Sequence, residues 1–156
     1  MEYVNYFLGT AFTWIHKKDG NISFHLLQSA FTEFTAHLFS VHSANKFPNV
    51  TPYRSGFLIY SIPLVEPLNP DLPRRRQVYQ SIFGCINWIE TCTRPDISPV
   101  LTFLASHRNS PHPQHYKLAV HALKYLTRSN EYGISLHYES SSKIQSFNHF
   151  PHHHDR

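Results

Sequence analysis

The chain has 156 residues, of which 41% are hydrophobic and 15% aromatic, so it can build the core of one ordinary domain and is too apolar for wholesale disorder. Lys and Arg number 14 against 10 acidic residues, a mild excess that is compatible with an anionic partner but does not require one. No leader segment opens the sequence and no apolar run approaches the roughly 18 residues of a membrane helix, which predicts a soluble, unexported protein. Cys85 and Cys92 would lie about 10 Å apart on one helix, too far for a disulfide, which predicts reduced thiols and an intracellular setting.

Residues 1–60 predict a β-hairpin followed by a helix. Apolar residues alternate from residue 6 to 16 and again from 22 to 26, and Asp19-Gly20 between the two runs tolerates the positive φ of a tight turn. Ser29 is placed to cap the helix that follows. Four apolar residues recur at helical spacing and predict the buried face of that helix: Phe31, Phe34, Leu38 and Val41.

Residues 61–75 predict a linker, because prolines at four positions forbid a regular helix or strand: Pro63, Pro67, Pro70 and Pro73. A region of three helices then covers residues 76–138 and ends in a short strand at 134–138. The tail, residues 139–156, is rich in Ser and His, has no core-forming period and is expected to be disordered. The predicted fold class is therefore α+β.

Each of the three helices has a recognisable apolar face. The first buries Tyr79, Ile82, Phe83, Ile86 and Ile89. The second starts at Pro95-Asp96, holds Pro99 in its first turn, and buries Ile97, Val100, Leu101 and Leu104. The third follows Pro111-His112-Pro113 and buries Tyr116, Ala119, Val120, Leu123 and Leu126.

Three residues of the first of these helices lie away from its apolar face. Gln80, Gly84 and Trp88 recur at i, i+4 and i+8 and share one side of the helix. A tryptophan outside the core is unusual, and a glycine inside a helix costs about 1 kcal/mol relative to alanine. The combination predicts a surface on which a partner docks closely.

Several motifs carry a resemblance to a known family. They are Tyr-Gln-Ser-Ile-Phe-Gly at 79–84, Thr-Arg-Pro-Asp-Ile at 93–97, His-Tyr-Lys-Leu-Ala at 115–119, Leu-Lys-Tyr-Leu at 123–126 and Tyr-Gly at 132–133. Phe-Leu-Gly at 7–9, the hairpin and Gln28 match the same family nearer the start. Together they resemble copia-type retrotransposon polyproteins, in the part that joins the reverse transcriptase to RNase H, over most of residues 6–138.

The resemblance implies substrate handling by the early hairpin. In reverse transcriptases the hairpin after the palm grips the primer end, and here residues 7–26 correspond to it. Phe7, Leu8 and Gly9 are therefore candidate nucleic-acid contacts.

The resemblance also implies a role for the first helix after the linker. Gln80, Gly84 and Trp88 match a pattern that lies along the minor groove of template and primer in retroviral relatives. The chemistry agrees, because an amide can bond groove edges, a glycine admits close approach and an indole packs on sugars. The alternative is that Trp88 buries against residues 1–60.

The basic triplet Arg74, Arg75 and Arg76 precedes that helix. It could neutralise phosphates, with each contact adding to the salt dependence of binding. It could equally be a solvated approach to the helix.

Polymerase and RNase H chemistry needs clustered carboxylates that hold two divalent ions, and no Asp-Asp pair occurs in this sequence. We assign no catalytic and no metal-binding residues, and expect Mg²⁺ only in palm and RNase H sites of the parent enzyme that this chain lacks. Histidines 149 and 152–154 lack the turn-held spacing of a zinc site. The turn at 93–96 is expected to be structural, with Thr93 or Asp96 as a cap.

The sequence thus predicts a non-catalytic fragment of a retrotransposon RNA-directed DNA polymerase that binds an RNA/DNA or DNA duplex. Its partners would be the nucleic acid and the remaining reverse transcriptase and RNase H parts of the polyprotein. The alternative is a non-catalytic helical interaction or structural module, and a free-standing metal-binding protein is a more distant possibility.

Overall fold

The computed structural model describes residues 5–16, 22–41, 51–53 and 72–138. In these residues a four-stranded antiparallel sheet of order β1-β2-β3-β4 accompanies four α-helices, and the α+β class is confirmed. The strands are β1 (Tyr6–Phe7), β2 (Thr10–His16), β3 (Ile22–Leu27) and β4 (Ile134–Tyr138). The helices are α1 (Ser29–Leu38), α2 (Leu72–Cys92), α3 (Ser98–Ser106), which follows a 3₁₀ turn at Pro95–Ile97, and α4 (Pro113–Arg128).

The predicted hairpin is present, but its first strand is interrupted. β2 pairs antiparallel with β3, as the alternation predicts, while the Asp19-Gly20 turn lies outside the described residues. A second tight turn at Leu8-Gly9 splits the predicted strand 6–16 into β1 and β2. Leu8 has φ 48° and Gly9 has φ 82°, and two consecutive positive φ values are the conformation of a two-residue hairpin turn.

The last strand ties the end of the described chain to its beginning. β4 pairs antiparallel with β3, with Leu26 opposite Ile134. A Cβ at Gly133 would clash with the Leu26 carbonyl, so only glycine lets the chain enter the sheet here. The Ser29 hydroxyl donates to the Asn130 carbonyl at 2.6 Å and makes no cap hydrogen bond, so the predicted capping role of Ser29 is wrong.

Helix α1 buries only part of its predicted face: Val41, just after the helix, is buried and Phe31 packs against the core. Phe34 and Leu38 are 60% and 57% exposed, whereas Thr32, Thr35 and Ala36 are buried. These small side chains let α1 approach its neighbours closely, and the Thr35 hydroxyl is satisfied by the Phe31 carbonyl at 2.8 Å. Apolar spacing alone could not distinguish this face from the one that Phe34 and Leu38 define.

The hydrophobic core lies among α2, α3 and α4, and its predicted members in α2 and α3 are all buried. In α4, Leu118 and Ala122 are buried besides the predicted Ala119, Leu123 and Leu126, while Tyr116 and Val120 are partly buried against the core. Pro99 lies in the first turn of α3, as expected.

Helix α2 begins at Leu72, four residues before the predicted start, so Arg74, Arg75 and Arg76 are helical and do not precede the helix. Pro73 is tolerated because a first-turn N–H has no partner within the helix. The rest of the predicted linker, 61–71, and the predicted tail, 139–156, lie outside the described residues. Within the described part of the chain, no helix is long and apolar enough to cross a membrane.

Candidate nucleic-acid interface

One side of α2 is exposed along most of its length. Arg76, Gln80, Gly84 and Trp88 recur every four residues on this side, and all four are exposed. At 1.5 Å per residue the row is about 18 Å long. We call these four residues the α2 row.

The basic triplet does not act as one patch. Successive helical residues point about 100° apart, so the three arginines point in three directions. Arg76 falls in the α2 row, whereas Arg74 and Arg75 line a cleft between the starts of α2 and α4. Only one of the three predicted phosphate contacts therefore lies beside Gln80, Gly84 and Trp88.

Gly84 occupies the centre of the α2 row without any intramolecular reason to be glycine. It does not have a positive φ, and a Cβ built on it would meet no atom within 4 Å. Alanine would therefore fit and would favour the helix by about 1 kcal/mol. The helix backbone at Gly84 is open to an approaching partner.

Gln80 and Trp88 flank Gly84 and are both held in place. The Gln80 side-chain amide donates to the Arg108 carbonyl at 3.3 Å, which ties α2 to the segment after α3. Trp88 is 37% exposed, and its indole N–H lies 3.2 Å from the Leu8 carbonyl. Trp88 thus contacts the first segment of the chain and still presents part of its ring to solvent.

The Leu8-Gly9 turn adjoins the Trp88 end of the α2 row. Phe7 and Leu8 are 60% and 62% exposed at this turn, and Gly9 lies against the Phe31 ring. Trp88 and Leu8, which are in contact, lie 80 positions apart in the sequence. Two groups of site residues that the sequence predicted separately therefore form one continuous surface.

A buried glutamine positions Trp88. Gln28 is 3% exposed. Its side-chain amide is oriented so that both its oxygen and its nitrogen have hydrogen-bond partners, and the oxygen accepts from the Trp88 indole N–H at 3.1 Å. The nitrogen then donates to the Thr93 hydroxyl at 2.8 Å and to the Ile89 carbonyl at 3.3 Å. Gln28 thereby clamps the end of β3 to the end of α2. No periodic pattern in the sequence predicts this contact, because 65 positions separate Gln28 from Thr93.

The turn after α2 is structural, but not through the predicted caps. Arg94 is 4% exposed, and its guanidinium bonds both Asp96 carboxylate oxygens at 2.9 Å. It also donates to the Ser129 carbonyl at 2.7 Å and hydroxyl at 2.8 Å. The Thr93 hydroxyl bonds Gln28, and no side chain caps the 3₁₀ turn, so the predicted capping by Thr93 or Asp96 is wrong. Burial raises the pKa of Asp96, but hydrogen bonds from Arg94 and Tyr125 outweigh it and hold that pKa below its ordinary value.

A histidine cluster lies near the start of α4 and was not predicted. His115 is 1% exposed, its Nδ1 accepts from the His112 backbone N–H at 3.0 Å, and its ring centre lies 4.0 Å from that of His107. Burial, followed by the nearby His107 and His112, lowers the pKa of His115 to about 4. Across the described ranges, no group of three or more His, Cys, Asp or Glu residues could hold a metal ion. Histidines 149 and 152–154 lie outside those ranges.

Comparison with known proteins does not assign the chain to a family. No family model matches the chain, and no curated protein or solved structure matches it. The resemblance to copia-type polyproteins accordingly stays a prediction based on the motifs in this sequence.

Proposed function

We propose that this chain holds a nucleic-acid duplex against the α2 row as a non-catalytic part of a retrotransposon RNA-directed DNA polymerase. The observation that carries the proposal is Gly84, which sits exposed in mid-helix where neither its backbone angles nor any neighbour calls for glycine. Glycine here costs the helix about 1 kcal/mol relative to alanine, and a partner that approaches the backbone closely would account for a glycine at this position.

The groups around Gly84 suit the grooved, anionic surface of a duplex. Arg76 supplies a cation for a phosphate, and the exposed part of the Trp88 ring offers apolar surface for a sugar. The acid of α2, Glu90, is bonded to Thr91 and Ser98 and lies off the row. The α2 row therefore carries no carboxylate that would repel phosphates.

The Phe7-Leu8-Gly9 turn extends this surface beyond Trp88. Its exposed side chains are apolar, so it would pack on sugars and terminal bases and would not pair with phosphates. This arrangement suits a hairpin that contacts the end of a primer strand. Polymerase chemistry itself is assigned to other parts of the parent enzyme.

Duplex titration at several salt concentrations tests the proposal. Each phosphate that the protein neutralises contributes about 0.9 to the log-log slope of affinity against salt. Arg76→Gln should weaken binding and lower that slope by about one contact. Lys124→Gln on α4 removes the same charge away from the α2 row and should change neither beyond the general effect of net charge. Equal effects of the two substitutions would contradict a phosphate contact at Arg76.

A protein-docking role is the second candidate, and exposed apolar residues on α1 favour it. Phe34 and Leu38 are one helical turn apart and are both more than half exposed. Such a pair can pack against a protein surface, including the remaining parts of the polymerase. Folded protein that fails to bind duplex at low salt would favour this second role.

A further inference from the structure

Gln28 lies where β3 ends and α1 begins, and its side chain is enclosed by the protein. It directly follows Leu27, the last residue of β3, and its carbonyl accepts from the Thr32 N–H in the first turn of α1 at 2.9 Å. Because the residue is 3% exposed, a nucleic acid bound at the surface cannot touch this side chain. Any effect of Gln28 on binding therefore has to pass through the residues that it contacts.

Trp88 is the contact of Gln28 that reaches the α2 row. The indole N–H lies 3.1 Å from the Gln28 side-chain oxygen and 3.2 Å from the Leu8 carbonyl, so two acceptors share one donor. An indole N–H lies in the plane of its ring, and its two acceptors therefore fix the direction of that plane. The 37% of Trp88 that is exposed is thereby held in one orientation in the α2 row.

The other end of the Gln28 amide is fixed as well. Its nitrogen donates to the Thr93 hydroxyl at 2.8 Å and to the Ile89 carbonyl at 3.3 Å, and both of these residues are buried. An enclosed amide that is bonded at both ends has little freedom to rotate. Gln28 is therefore a rigid support for the indole.

The shared N–H also supports the Phe7-Leu8-Gly9 turn. Leu8 has φ 48°, a conformation that a bulky side chain rarely adopts, and its carbonyl is bonded to the Trp88 indole. The exposed side chains of Phe7 and Leu8 are thus placed relative to the α2 row by the same indole that Gln28 holds.

We infer that Gln28 is a positioning residue for duplex binding, which acts through Trp88 and makes the turn and the α2 row one preorganised site. The inference rests on the proposed function, in which Trp88 packs on a sugar. A side chain that is already ordered loses less conformational entropy when its partner binds. Loss of the Gln28 contacts should therefore weaken duplex binding even while the chain stays folded.

The test is a double-mutant cycle of Gln28→Met and Trp88→Phe, with duplex affinity measured at one salt concentration. Gln28→Met keeps the length of the side chain and removes its hydrogen bonds, and Trp88→Phe removes the N–H and keeps an aromatic ring. Gln28→Met alone should weaken binding about fivefold, the cost of ordering one large side chain. Combined with Trp88→Phe it should change affinity by less than about twofold further, because the N–H through which Gln28 acts is already gone. Gln114→Met, at an exposed site on α4, is the control and should leave affinity unchanged.

Fluorescence separates this role from a general loss of folding. Trp14→Phe leaves Trp88 as the sole tryptophan of the chain. In that background Gln28→Met should increase acrylamide quenching of Trp88 and lower its anisotropy, at a temperature where circular dichroism shows folded protein. Gln114→Met should change neither. If Gln28→Met does not fold, Gln28→Asn replaces it in both experiments, because the shorter side chain withdraws the amide from the indole.

Unchanged duplex affinity in Gln28→Met would overturn the inference and leave the proposed function standing. Equal losses with and without Trp88→Phe would also overturn it, since Gln28 would then act on the fold as a whole. Unchanged quenching of Trp88 would show that Gln28 does not hold the indole and would overturn it too. If the unaltered chain does not bind duplex, the proposed function fails and the inference fails with it.

Discussion

Replacement of Arg94 by leucine should destabilise the fold strongly, because this guanidinium joins the turn after α2 to the end of α4. Arg94 is 4% exposed and bonds Asp96 twice and Ser129 twice. Removal of one partner from a buried ion pair typically costs 3 to 5 kcal/mol. The Asp96 side chain is 42% exposed and can recover water, so we expect the lower end, about 3 kcal/mol.

Denaturant unfolding measures this cost as a lower midpoint at unchanged slope. Arg94→Lys should recover only part of the stability, since a lysine cannot reproduce the two-pronged contact with the carboxylate. Arg108→Leu removes an exposed arginine and should stay within about 0.5 kcal/mol of the unaltered chain. If Arg94→Leu costs no more than Arg108→Leu, the Arg94 network does not hold these two segments together.

Two further predictions concern buried groups. The pKa of His115 in the folded chain is lowered to about 4 from 6.5, so as the pH falls the unfolded chain takes up a proton before the folded chain does. The free energy of unfolding should therefore fall by up to about 3 kcal/mol between pH 6.5 and pH 4. His115→Gln should flatten that part of a curve of unfolding free energy against pH. In urea unfolding, Ile86→Ala should cost about 2 to 5 kcal/mol because Ile86 is fully buried. Trp88→Ala should cost about 2 kcal/mol, because it removes a half-buried ring and leaves the buried Gln28 oxygen without its hydrogen-bond donor. Loss of the whole fold in Trp88→Ala would mean that Trp88 belongs to the core.

Helical periodicity predicted the core well because the core is built from helices with clear apolar faces. Ile82, Ile86 and Leu104 are all fully buried, as their spacing requires. The same reasoning failed for half of the face predicted for α1, since Phe34 and Leu38 are exposed and Thr35 is buried. Apolar spacing shows that a face exists, but only packing against α2 and α4 selects the face that is buried.

The candidate interface was predicted residue by residue, but its continuity was not. Spacing within one helix is enough to align Gln80, Gly84 and Trp88. The contact of Trp88 with Leu8 and the adjacent Gln28 clamp join residues far apart in sequence and follow no periodic pattern. The triplet at 74–76 was predicted to precede the helix, but it lies inside α2, and a helix distributes consecutive residues around its axis.

We propose that a duplex approaches the backbone of α2 at Gly84. Gly84→Ala should raise the free energy of unfolding by about 1 kcal/mol, because the added methyl group meets nothing and favours the helix. Duplex binding measured on the same sample should weaken, and Gly84→Leu should weaken it further, while Thr102→Leu at an exposed site on α3 leaves it unchanged. Duplex affinity that stays constant through Gly84→Ala and Gly84→Leu would contradict the account.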